Sequence, residues 1–576
     1  MNSAELRIPI DRTVFDRRAV LICSLSVGLA LVTGFIARLL VAIIDVVTNL
    51  AFYGRLSLAA VSPAGHSLGW AVVFVPVLGG VVVGLMARYG SAAIRGHGIP
   101  EAMEQVLLNE SRISPRVLFL KPLSAAISIG TGGPFGAEGP IIATGGAFGS
   151  FVGQIIRITA VERKTLLAAG AAAGMAATFG SPVSAVLLAV ELLLFELRPR
   201  SIIAVSLAAV TATAVRVGFV GYEPAFAMPL LERPVESALA AYVVLGAVVG
   251  VLSVYVTRAV YWIEDRFEHL PVHWMWWPAI GGIAVGVVGY FAPRTLGVGY
   301  TNIDDLVSGK LIGTAALVLC ALKFVSWAIS LGSGTSGGTL APLLTIGGGA
   351  GVVLGGAAAR AFPWLGLDLR VCALVGMAAM FAGASRALLA SVVFAFETTL
   401  QPLGLIPLLG GSAAGYLMSS LLMQNTIMTE KLARRGVRVP AEYAADHLDL
   451  ISVAGACSTD VVTVAADDTI ASLRERGGSH QGFPVVDGEG KLIGVITRRN
   501  FLDVTKPPST RAGDLVTHPP AVIFADNSLR EAADQMVREN VGRLPVVTRE
   551  DPRRVIGIVT RSDLLRAHEQ RLAAEL

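Results

Sequence analysis

Residues 120–140 read LKPLSAAISIGTGGPFGAEGP, and residues 322–342 read LKFVSWAISLGSGTSGGTLAP. Ten of these 21 positions are identical without a gap, among them Lys121/Lys323, Ser128/Ser330, Gly130/Gly332, Gly136/Gly338 and Pro140/Pro342. The same offset of 202 residues places Gly145-Gly146 over Gly347-Gly348, and Gly174-Met175-Ala176-Ala177 over Gly376-Met377-Ala378-Ala379. A membrane chain with two related halves, each interrupted by a Gly-rich stretch at the same place, binds its solute where the interruptions meet. The duplication is therefore a statement about function as well as architecture.

Composition puts those halves in a bilayer. The hydrophobic fraction is 54%, only 15% of residues are charged, and mean hydropathy is +0.66, which excludes an ordinary soluble protein. Apolar tracts long enough to cross (about 20 residues each) lie at 19–44, 69–87, 201–218, 237–257, 276–292 and 311–330. Two Gly-interrupted tracts, 140–156 and 340–358, are shorter and are expected to enter the membrane without crossing it. Such irregular backbone is tolerated only where protein or a cavity surrounds it. The polar, mixed-charge start up to Arg17-Arg18 runs into an apolar stretch too long for a cleavable signal. Basic residues at Arg17-Arg18, Arg198, Arg200, Lys431, Arg434, Arg435 and Arg438 place both termini on the cytoplasmic side of an inner or plasma membrane. The four cysteines are scattered, and the net charge of +4 points to no nucleic-acid partner.

Beyond about residue 445 the pattern becomes soluble α/β, and it is duplicated again. Phe483-Pro484-Val485-Val486 and Ile493-Gly494-Val495-Ile496-Thr497-Arg498 answer Leu544-Pro545-Val546-Val547 and Ile556-Gly557-Ile558-Val559-Thr560-Arg561. This βαββα unit, twice over, resembles a CBS domain pair. The resemblance implies an adenine-nucleotide site (ATP, ADP or AMP) in the cleft, with Thr560 and Asp563 on phosphate and ribose, and Thr497 matching in the first module. Asn500 stands where that module's acid would be, so the pure double acceptor is lost there. No cofactor is required by the rest of the chain.

Each Gly–Pro cluster of the membrane part precedes an apolar run that suits a helix. Proline is tolerated in a first turn, and glycine lets backbone approach a ligand closely. The expected result is a set of helix N-termini inside the membrane, each with unpaired N–H groups and about half a positive charge. Such ends attract an anion without the deep trap that a full cation would set, and conduction needs release as well as entry. Before any family is considered, the chain reads as a pathway for a small anion.

GHGIP at 96–100, GAEGP at 136–140 and GTLAP at 338–342 then resemble, in order, the signatures of CLC chloride channels and proton-coupled chloride antiporters. The resemblance covers about 15–435. It implies a membrane all-α fold, a CLC-type inverted repeat of many tilted and re-entrant helices, followed by the cytoplasmic α/β CBS pair. The implied layout is a cytoplasmic segment 1–18, a membrane domain 19–430 with halves of about 19–220 and 235–430, a linker 431–449, and CBS modules at 450–506 and 511–570. A homodimer with one pore per subunit is implied as well.

By the same resemblance Glu138 is the gating glutamate, able to occupy an anion site and to leave it on protonation. His97 stands where a serine usually faces the central ion, with Gly98 and Ile99 behind it. Gly139 and Thr339-Leu340-Ala341 are the matching positions of the other two clusters. Leu340 replaces a usual Phe, and Ala137 replaces a basic residue. Met428 falls at the position of a tyrosine, and methionine offers no donor. For the inner proton glutamate of the antiporters, one extra helical turn aligns Glu196, with Glu191 second. Lys121 and Lys323 read as backbone-bonding residues near the interruptions.

Chloride, with or without protons, is the implied cargo. Proton exchange, a passive voltage- or pH-gated channel and a fluoride-type exporter remain alternatives. A membrane enzyme fits poorly, because the sequence contains no HExxH motif: the pair at that spacing, His269 and His273, reads HLPVH and lacks the glutamate.

Overall fold

The duplicated stretches fold as matching helix pairs. The computed structural model describes residues 6–9, 16–440, 447–476 and 480–574. The first half comprises α1 (Arg17–Tyr53), α2 (Phe74–Leu85), α3 (Ile99–Leu108), α4 (Pro115–Gly130), α5 (Glu138–Ile155), α6 (Ala160–Phe179), α7 (Pro182–Ala189) and α8 (Pro199–Val220). The second comprises α9 (Glu236–Glu268), α10 (Trp277–Phe291), α11 (Tyr300–Val307), α12 (Gly313–Gly332), α13 (Leu340–Ala361), α14 (Leu369–Ser385), α15 (Leu388–Thr399) and α16 (Leu405–Leu422). A short α17 (Glu430–Arg434) follows. Helix by helix the two sets correspond, so the 21-residue repeat in sequence is the visible part of an eight-helix duplication.

Among the described residues, eight helices are long and apolar enough to cross a membrane. The six long tracts read from sequence each fall in one of them. The tract 340–358, expected not to cross, belongs to the 22-residue Leu340–Ala361, which meets the length of a span and has 72% of its most apolar window buried in protein. Its glycines do not interrupt the helix; they bring it against its neighbour. Gly347 faces the Gly376 carbonyl, with room for no more than a hydrogen. The first half repeats this contact between α5 and α6, where a Cβ built on Gly170 would lie 2.0 Å from the Gly145 carbonyl oxygen. Small residues at helix crossings are how membrane helices approach closely. Gly170→Ala is expected to destabilise the protein by about 1–3 kcal/mol through overpacking, whereas Gly28→Ala, inside α1 where a Cβ meets nothing within 4 Å, should cause no loss of stability. Thermal unfolding in detergent reads the difference.

The C-terminal unit carries two three-stranded sheets of the same design. In the first, β1 (Val464–Ala465) runs parallel to β2 (Gly482–Val486), which pairs antiparallel with β3 (Leu492–Thr497). In the second, β4 (Ile523–Phe524), β5 (Arg543–Val547) and β6 (Val555–Thr560) repeat that order, with a register shift at the equivalent position. Both modules bury alternating apolar residues such as Val485, Ile496, Val546 and Val559.

The unit also takes in a piece of the N-terminal segment that sequence left apart. The Arg7 N–H donates to the Pro520 carbonyl and the Arg7 carbonyl accepts from Val522, each at 3.1 Å. The Arg7 guanidinium pairs with Glu539 at 2.7 Å, while Leu6 packs on Leu492, Val522, Phe524 and Val547. Of the expected linker 431–449, residues 441–446 lie outside the described residues, as do 1–5 and 10–15 of the N-terminal segment.

Candidate functional site

The two Gly-rich interruptions are bonded to each other. The Gly136 N–H donates to the Gly338 carbonyl at 3.2 Å and the Gly338 N–H donates to the Gly136 carbonyl at 3.0 Å, an antiparallel bridge. α5 starts at Glu138 and α13 at Leu340, and neither N-terminus is capped by a side chain. The first hydrogen-bonded turn of each runs from Ile141 to Ala137 and from Leu343 to Thr339. The N–H groups ahead of it, including those of Gly139 and Ala341, are the unpaired donors that every helix start leaves over. A third strand of backbone joins them, since the Gly96 N–H donates to the Thr335 carbonyl at 3.2 Å. A Cβ on Gly139 would lie 2.4 Å from the His97 carbonyl oxygen and 2.8 Å from Gly338 Cα. Only glycine lets the three segments meet there.

Two buried lysines hold the approach loops, one in each half. Lys121 Nζ donates to the Ile94 and Gly96 carbonyls at 2.8 and 2.7 Å, and Lys323 Nζ to the Thr295 and Gly297 carbonyls at 3.0 and 2.8 Å. Each loop then turns through a positive-φ glycine, Gly98 at 95° or Gly299 at 76°, into a short helix. Ile99 opens α3 and Tyr300 opens α11 in the same way. Sequence pointed to the lysines but missed Tyr300, because the repeat slips by one residue in this loop and its identity fades.

Glu138 is wholly buried, and neither carboxylate oxygen has a hydrogen-bond partner among the described residues. Its side chain lies over the crossing: a Cβ on Gly136 or on Gly338 would come 1.6 or 3.1 Å from Glu138 Oε2. His97 is also buried, its Nδ1 likewise without a partner among the described residues. The Gly98 N–H is engaged within α3, donating to Glu101 Oε2 at 2.7 Å, and Lys431 pairs with the same carboxylate at 3.4 Å. Ile99, Thr339, Leu340, Ala341 and Met428 are all buried in the same core. Next to Met428, the Ile427 carbonyl accepts from the Tyr261 hydroxyl at 2.8 Å, so that tyrosine is not a substitute donor for an ion.

The two inner glutamates sit differently. Glu191 occupies a π-helical turn that continues α7, and its two oxygens accept the Leu389 and Ala390 N–H groups at 3.0 Å each. Glu397 of α15 returns the favour, accepting from Val183 and Ser184 of α7 at 3.0 and 2.8 Å. Sequence reading missed this reciprocal capping, although the duplication pairs α7 with α15. Glu196 accepts from the Ser201 hydroxyl at 2.9 Å and lies 3.5 Å from Lys164 and 3.7 Å from Arg198. A cavity of about 610 Å³ is lined by Glu191, Arg386, Thr426 and Thr429. Another, of about 520 Å³, is lined by Arg38, Asp45, Ala137, Arg294 and Tyr300.

In the C-terminal unit, Thr497, Thr517, His518, Arg543 and Arg7 line a cleft of about 450 Å³. Burial holds the Arg543 guanidinium below its usual value, though a guanidinium keeps its charge in proteins. At the start of the last helix the Thr560 N–H and hydroxyl both donate to Asp563, at 2.8 and 2.7 Å. Thr497 and Asn500 do the same at the first module's helix.

The chain is similar to known proteins. Residues 78–420 match the model of the voltage gated chloride channel family, and residues 453–506 and 512–569 match the CBS domain. The chain is 32% identical over 366 residues to the chloride channel protein CLC-f of Arabidopsis thaliana, covering 59% of this chain and 46% of that protein. It is 30% identical over 411 residues to the H(+)/Cl(-) exchange transporter ClcA of Salmonella arizonae, covering 68% and 84%. The match thus spans about half the length of the Arabidopsis relative. Two solved structures share the fold: a slow cyanobacterial Cl-/H+ antiporter (TM-score 0.63, 24% identity, 71% of this chain and 97% of that one) and a eukaryotic CLC transporter (TM-score 0.61, 21% identity, 94% and 98%). With that family's model matching more than half of its residues, the chain belongs to the voltage gated chloride channel family and carries a CBS pair behind its membrane helices.

Proposed function

We propose that the protein moves chloride across the membrane along the N-termini of α3, α5 and α13, with Glu138 as the gate. The observation that carries this reading is the backbone pair between Gly136 and Gly338, which puts two uncapped helix starts side by side with a buried carboxylate laid over them. Partial charges from helix ends attract a halide, and an ionised Glu138 competes with it for the same donors. Protonation removes that competition, so flux rises as pH falls. A homodimer with one pathway per subunit, with both termini cytoplasmic, belongs to the same proposal.

Coupled proton exchange is the second reading, favoured by Glu191 on the wall of the 610 Å³ cavity and by relatives named as exchange transporters. Reconstituted vesicles with opposed chloride and proton gradients separate the two. A reversal potential that follows chloride alone identifies a passive pathway, and one that follows both ions identifies exchange. Fluoride, bromide and nitrate competition in the same vesicles tests the ion preference. Absence of any anion flux would overturn the proposal.

For the CBS pair we propose adenine-nucleotide binding in the cleft lined by Thr497, Arg543 and Arg7. ATP, ADP or AMP is expected to raise the thermal midpoint of the purified protein, because a ligand that binds only the folded state stabilises it by mass action. Thr497→Ala with Arg543→Ala should remove that rise.

A further inference from the structure

Tyr300 is a polar side chain near the crossing that the reading above leaves without a task. Its ring is wedged edge-on between Phe179 and Phe226, with centroids 5.7 and 6.1 Å away. Its backbone is held by the loop that Lys323 grips, one residue beyond the positive-φ Gly299. The hydroxyl that emerges from this clamp is buried and has no hydrogen-bond partner among the described residues. It faces Glu138, whose two oxygens are equally unpaired, and the two groups interact electrostatically. A buried donor and a buried acceptor left unmade are each costly, and each is the partner the other lacks.

The remaining charged neighbours do not fill that role. On α12, Lys323 faces the carboxylate too, but its ammonium is bonded to two carbonyls. The α3 loop presents the His97 carbonyl to Gly139, and α13 presents backbone N–H groups. Arg38, Asp45 and Arg294 line the 520 Å³ cavity together with Tyr300.

We propose that Tyr300 is the latch of the gate: its hydroxyl donates to the Glu138 carboxylate while the pathway is closed and turns to the passing anion when the carboxylate leaves. The proposal rests on the reading of Glu138 as the gate. A donor to the charged form favours that form, and a charge-assisted bond is stronger than the one a neutral carboxyl accepts. The latch therefore keeps the gate ionised and shut to lower pH than it would otherwise reach. Tyr300 is a positioning residue in this scheme, acting through Glu138 when closed and on the ion when open.

The test is the pH profile of chloride flux in vesicles for Tyr300→Phe, which keeps the ring and its contacts. The midpoint is expected to move to higher pH by about one unit, a tenfold change in proton concentration, with the low-pH maximum preserved. Glu138→Gln combined with Tyr300→Phe should behave as Glu138→Gln alone. Phe179→Leu, which loosens the aromatic clamp but keeps the hydroxyl, should move the midpoint by less than Tyr300→Phe does. An unmoved midpoint in Tyr300→Phe, or an equal shift in Phe179→Leu, overturns the latch while the gate stands. A wild-type pH profile in Glu138→Gln overturns the gate itself and the latch with it.

Discussion

Glu138→Gln is expected to carry chloride at a rate independent of pH, while the wild type slows as pH rises through the titration of its carboxyl group. The carboxylate lies over the junction of Gly136 and Gly338 and has no partner of its own there. In the gate proposed above, the charged form is the anion that these donors would hold, and chloride must displace it. When protonated it is neutral and gives way. The amide copies the neutral form in shape and cannot ionise, so the variant stays permissive at every pH. Loss of ionisation also removes the proton acceptor, so any proton movement coupled to chloride should disappear with the pH dependence. Vesicle flux with an external pH indicator measures both, and a profile that still falls toward alkaline pH would refute the gate.

The second large effect belongs to the lysines. Lys121 and Lys323 are buried to within 1% of full enclosure, and each satisfies two loop carbonyls. Methionine in either place fills similar space but leaves two buried acceptors bare, at about 1–3 kcal/mol each. Lys323→Met and Lys121→Met are each expected to lose about 2–6 kcal/mol on that basis, with the exposed Lys310→Met as an unchanged control. Thermal unfolding in detergent reads the loss. The two substitutions should be equally severe, since the loops ahead of α3 and α11 are built alike. A mild effect at either position would mean that its loop is held by something other than the ammonium.

Most of the fold was legible because the repeat is preserved where geometry is strict. Lys, Gly and Pro at the interruptions have few substitutes, so identity survives there and announces both halves. Where many residue types serve, as at Ile99 and Tyr300 opening equivalent helices, the repeat leaves no trace and Tyr300 went unread. The tract 340–358 lies in a continuous helix of 22 residues despite its glycines, because α13 is packed through Gly347 against Gly376 and the packing outweighs propensity. The Glu191–Glu397 exchange of caps and the docking of Arg7 beside Ala521 depend on contacts between distant parts of the chain. No local pattern encodes them. The engagement of the Gly98 N–H by Glu101 was open to sequence in principle, since a carboxylate three residues after a helix start is the capping-box spacing.

The most direct measurement is anomalous scattering from crystals grown in bromide. Ordered bromide is expected within hydrogen-bonding reach of the uncapped starts of α5 and α13, near Gly139 and Ala341, with stronger occupancy in Glu138→Gln because its competitor is gone. Bromide bound only elsewhere, with that junction empty in both proteins, would contradict the idea that paired helix ends form the ion's resting place.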